Sequence, residues 1–74
     1  NRIFTLPELN HLYILDSENR RVVAYSKGIT GIAAYQKQIL FEDLKAGEMR
    51  DLYVDKSEQK LYVMTPDNIL ITDL

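Results

Sequence analysis

The chain has 74 residues, enough for one small domain but too few to bury much more than about 60% of the surface its unfolded form exposes. It has no cysteine and a single histidine. Disulfide stapling and a His/Cys metal centre are therefore excluded as sources of stability, and association is the remaining route. A net charge of -2 with acidic and basic residues interspersed disfavours nucleic acid as a partner. No apolar run reaches the roughly 18 residues of a membrane span. The lack of cysteine is compatible with reducing and oxidising compartments alike.

In chain order, the apolar pattern is short and strand-like. The first strand is expected over about residues 2–6, and Pro7-Glu8-Leu9-Asn10 turns the chain into a second at 11–16. Leu12-Tyr13-Ile14-Leu15 is a continuous aromatic and aliphatic run, the pattern of a strand buried on both faces. Asp16-Ser17-Glu18-Asn19 leads into a third strand at 21–26, and Ser26-Lys27-Gly28 into a fourth at 32–40. That fourth strand is polar at Gln36, Lys37 and Gln38, which suits a solvent-facing edge. Residues 42–49 read as a connector with room for a single helical turn, too short to stand as a helix. Three more strands follow at about 50–55, 60–65 and 69–73.

The second group of strands repeats the first. A shift of 49 positions places Ile3-Phe4-Thr5 on Leu52-Tyr53-Val54 and Leu12-Tyr13-Ile14-Leu15-Asp16 on Leu61-Tyr62-Val63-Met64-Thr65. A strand-built period of about 40 to 50 residues marks propeller blades. The expected fold is all-β: two propeller-type antiparallel blades, residues 1–41 with four strands and 50–74 with three, incomplete as a monomer. The second blade lacks an outer strand, so Ile69, Leu70 and Ile71 form an open edge able to recruit another strand. The start at Asn1 suggests a piece of something longer.

One segment resembles a known family. Asp16, Ser17, Asn19, Arg21, Val22, Tyr25 and Gly28 fall on positions of the NHL-repeat blade pattern, with Glu18 and Arg20 departing from it in the hairpin loop. The second unit keeps only the Leu-Tyr-Val core and the strand spacing. The resemblance implies a ring of about six four-stranded blades, of which this chain matches about two at the closing end. Some NHL-like propellers are metal-dependent lyases or hydrolases, with His and carboxylates lining the channel. Here the innermost strands offer Asp51 and Asp55 alone. Others bind RNA through a basic face, whereas Arg20-Arg21 is the one adjacent basic pair in this chain.

No arrangement of residues points to catalysis. His11 aligns with Lys60 and is expected in a solvated turn. Ser17, Ser26 and Ser57 have no base at fixed spacing, and no Gly-x-Ser-x-Gly elbow occurs. Gly28, Gly31 and Gly47 do not form a phosphate loop. Catalytic, metal and cofactor residues are thus expected to be none. Asp16 and Arg21 are expected to pair across their hairpin. Tyr13 with Tyr62, and Phe4 with Tyr53, are repeat equivalents and expected packing residues. Arg20, Arg21 and Tyr35 are candidate surface contacts. The expected function is a non-enzymatic module for protein or ligand binding or scaffolding. It would complete a ring as a homo-oligomer of three or four copies. The alternative is the C-terminal piece of a larger NHL-like enzyme or RNA binder whose functional residues lie elsewhere.

Overall fold

A computed structural model describes residues 2–28 and 34–74, which form seven strands and no helix. They are β1 (Arg2–Phe4), β2 (His11–Asp16), β3 (Arg21–Ser26), β4 (Ala34–Leu40), β5 (Asp51–Val54), β6 (Lys60–Met64) and β7 (Ile69–Asp73). The fold is all-β, with a four-stranded sheet ordered β1-β2-β3-β4 and a three-stranded sheet ordered β5-β6-β7. Every pairing is antiparallel, and neither sheet closes on itself. The expected fourth strand at 32–40 is observed as β4, with its first two residues outside the described part of the chain.

The 49-residue repeat holds in the pairing register. Arg2 pairs with Leu15 and Phe4 with Tyr13 in the first sheet; Asp51 pairs with Met64 and Tyr53 with Tyr62 in the second. Each pair maps onto the other under the same shift. Because strand side chains alternate with a period of two, the shift also carries each face of one sheet onto the corresponding face of the other.

The two sheets stack through opposite faces. In β2 the buried residues are Tyr13 and Leu15; in β6 they are Leu61 and Val63, the equivalents of Leu12 and Ile14. The core therefore lies between the tyrosine face of the first sheet and the leucine face of the second. The first contributes Tyr13, Leu15, Val22 and Ala24, the second Leu52, Val54, Leu61 and Val63. Leu9 and Met49 complete it from the loops, and no polar or charged residue is buried among the described residues. This corrects the expectation that the Leu12–Leu15 run is buried on both sides, and the same holds for its repeat equivalent, Leu61–Met64. Leu12, Ile14, Tyr62 and Met64 are only partly covered, because the sheet faces that carry them have no partner among the described residues.

The connector forms two reverse turns, closed by Leu44 N–H to Phe41 O (3.0 Å) and Glu48 N–H to Lys45 O (3.1 Å). It lies against the β2–β3 hairpin. Gly47 has φ = 81° and donates its N–H to Ser17 O at 3.0 Å, while Ser17 Oγ donates to Met49 O at 2.9 Å. The left-handed backbone explains why a glycine stands there.

Candidate functional site

Three features of this framework carry polar chemistry or unpartnered surface. The first joins the sheets at one rim. In the β5–β6 turn, Asp55 Oδ1 accepts the N–H groups of Gln59 (2.9 Å) and Lys60 (3.0 Å), and Ser57 Oγ donates to Asp55 Oδ2 at 2.6 Å. These bonds, Ser57 foremost, hold the Asp55 carboxyl below its ordinary range. The turn also places Glu58 in the left-handed region, with φ = 55°.

That conformation sends the Glu58 carboxylate across to the first sheet. Oε1 accepts Asn10 N–H at 2.5 Å, and Oε2 meets Tyr13 Oη at 2.7 Å and His11 Nδ1 at 2.9 Å. Burial alone would raise the Glu58 carboxyl, but the donors on Asn10, Tyr13 and His11 together hold it below its usual value. The Tyr13 hydroxyl is pushed well above the ordinary phenol range, first by burial and then by its bond to Glu58. A cavity of about 350 Å³ opens beside this node, lined also by Gln36, Lys37, Ser57 and Leu74. His11 is thus the first residue of β2 and bonded to a carboxylate, not a solvated turn residue as its alignment with Lys60 suggested. Accepting from three donors at the first sheet, the Glu58 carboxylate works as an inter-sheet tie.

The second feature is the β2–β3 hairpin. Asp16 Oδ2 accepts Arg21 Nε at 2.8 Å and Asn19 Nδ2 at 2.9 Å. The Asn19 and Arg21 bonds lower the Asp16 carboxyl, and Arg21 Nη1 also reaches Gln38 Oε1 at 3.2 Å. Arg20 has φ = 54°, and its guanidinium donates to Glu42 O at 3.2 Å. Both arginines singled out from the sequence therefore brace the hairpin and connector. Tyr35 is more than half exposed and packs edge-on against Tyr25, ring centroids 6.1 Å apart.

The third feature is the pair of outer sheet faces. The first sheet turns Ile3, Ile14, Tyr35 and Leu40 outward, and the second Tyr53, Tyr62, Ile69 and Ile71. Ile3 is 71% exposed, Ile69 62% and Ile71 60%, a degree of exposure that large aliphatic side chains seldom show together on one small domain. Of the three β7 residues expected at an open edge, Leu70 packs against the core while Ile69 and Ile71 face out. Phe4 and Tyr53 meet at the β1–β5 seam with ring centroids 5.3 Å apart, and Tyr53 lies 5.9 Å from Tyr62.

Among the described residues, no group of three or more His, Cys, Asp or Glu could hold a metal ion, and no helix is long and apolar enough to cross a membrane. No family model, curated protein or solved structure matches the chain. The fold and the placement of these residues are what define it: an open, all-β chain of two antiparallel sheets.

Proposed function

We propose that this chain is a non-enzymatic repeat module of the β-propeller type. It binds or scaffolds protein or ligand partners and completes a ring by self-association. One observation carries the reading: the two repeats share a register under a 49-residue shift and stack through opposite faces. A stack of that kind can be extended by adding the same contact again, and rings of six or eight blades follow from three or four copies. The polar node at Glu58 and the Asp16–Arg21 hairpin support a structural role for the charged residues, and Tyr35 remains a candidate contact for a partner. Light scattering on the purified chain tests the reading. A mass of three or four chains supports it, and a folded monomer at micromolar concentration refutes it.

A second reading draws on the same outer faces. Further blades of one longer NHL-like chain, an enzyme or an RNA binder, could cover them as well as copies can. Isolated chain that stays monomeric and unfolded, but folds when fused to its adjoining sequence, would favour this alternative.

A further inference from the structure

Resting on self-association as proposed above, we infer that copies join front to back. The Tyr62 face of one copy's second sheet seats on the Ile14 face of the next copy's first sheet. The contact inside each chain is the template. There the tyrosine face of the first repeat (Tyr13, Leu15, Val22) covers the leucine face of the second (Leu61, Val63). Among the described residues, one face of each type remains uncovered. The second sheet leaves its own tyrosine face open, carrying Tyr53, Tyr62, Met64, Ile69 and Ile71; the first leaves its leucine face open, carrying Ile3, Leu12, Ile14, Tyr25, Tyr35 and Leu40. Repeat equivalence makes Met64 the counterpart of Leu15 and Ile14 the counterpart of Val63. The outer contact is therefore the inner one carried forward by one unit.

Two details favour this docking over strand addition at β4. Val23 on the Ile14 face is only 6% exposed yet lies outside the core cluster. That face already holds a packed centre around which a partner can settle. The β4 edge, in contrast, is lined by exposed Gln36, Lys37 and Gln38, and a lysine on an edge strand discourages strand addition. One part of the inner contact is not reproduced outside. The residue equivalent to Glu58 is Leu9, which is buried in the core, so the outer contact is apolar and lacks the Glu58 tie. Contacts of this kind are heterologous: they generate rings when the rotation closes and filaments when it does not.

The test uses substitutions on central strands, where they cannot disturb an edge. Met64→Lys blocks the front face on β6 and Ile14→Lys the back face on β2. Folding is checked by circular dichroism, and the already exposed Ile71→Lys and Ile3→Lys replace either variant that fails to fold. Light scattering should give a mass of three or more chains for the wild type and of one chain for each variant alone. An equimolar mixture of the two variants should give a mass of two chains, because each supplies the face the other lacks. Wild-type monomer would sink self-association itself. A wild type that assembles, with variants that assemble equally well or a mixture that stays monomeric, would overturn front-to-back docking while leaving self-association standing.

Discussion

Glu58 holds the two sheets together at one rim, and its worth can be worked out from its contacts. The carboxylate receives hydrogen bonds from Asn10 N, Tyr13 Oη and His11 Nδ1 at 2.5 to 2.9 Å, and Tyr13 is only 2% exposed. A hydrogen bond to a charged group contributes about 1.5–3 kcal/mol, and a buried hydroxyl left without a partner costs about 1–3 kcal/mol. Tyr13→Phe in the wild type should therefore destabilise by about 1.5–3 kcal/mol. In a Glu58→Ala background the hydroxyl has lost its acceptor, and the same change should be near neutral or stabilising. The double-mutant cycle should give a coupling of about 1.5–3 kcal/mol. A chain of this length has roughly 4–11 kcal/mol of stability in all, so the node is a large share of it. Urea unfolding of all four proteins checks the coupling, at a single protein concentration where their solution masses agree, because assembly adds stability by mass action. A coupling within about 0.5 kcal/mol of zero, the usual limit of additivity, would refute the node as a tie between the sheets.

Acid should unfold the protein in a definite window. The carboxyls of Glu58, Asp16 and Asp55 all lie below their ordinary values. The stability they contribute is complete above the unfolded values of 3.8 for Asp and 4.5 for Glu and is lost as pH falls through the folded ones. Thermal melts between pH 7 and 2 should show the midpoint dropping below about pH 4.5, with a shallower drop in Glu58→Gln. At the other end, the raised Tyr13 hydroxyl makes stability fall as pH rises past 10, and Tyr13→Phe should flatten that limb. Leu61 is fully buried on β6, the middle strand of its sheet, and Leu61→Ala should cost about 2–5 kcal/mol in denaturant unfolding, enough to leave a large unfolded fraction. Arg21→Ala removes the bonds to Asp16 and Gln38 and should lower the thermal midpoint of the assembled form; an unchanged midpoint with loss of partner binding would instead make Arg21 a contact residue.

The repeat was legible because strand geometry leaves it in the sequence. A register with a side-chain period of two cannot shift by one residue without turning every side chain to the other face. Two stretches 49 apart that both read apolar-Tyr-apolar are therefore held to the same pairing, and the Arg2–Leu15 and Asp51–Met64 pairs bear this out. The Asp16–Arg21 pair was legible for a local reason, since five residues around one hairpin bring the two side chains together. Which face each sheet buries was not legible. Leu12-Tyr13-Ile14-Leu15 is apolar at every position, so periodicity gives no sign of the covered side. Glu58 was missed because its partners lie 45 to 48 residues away and its reach depends on a left-handed turn residue. A trace did exist: the repeat alignment sets Glu58 against Leu9, a charge against a core residue, and a break of that size between equivalent positions marks where two units meet.

Opposite-face stacking also explains why both strand runs are apolar throughout. Had the two repeats packed through the same face, Tyr13 against Tyr62, the contact would have been isologous and self-limiting. The positions then turned outward, Ile3 and Ile14 in the first sheet and Leu61 and Val63 in the second, could all be polar without loss to the core. Stacking tyrosine face on leucine face instead leaves one face of each type uncovered, however many units are added in a row. On those faces Ile3, Ile69 and Ile71 are each 60% or more exposed, and leaving them in water contributes nothing to folding. Under the self-association proposed above, both faces are covered by neighbouring copies. The front-and-back pair of lysine variants addresses that property directly, because a same-face contact would survive in one variant alone and a front-to-back contact survives only in the mixture.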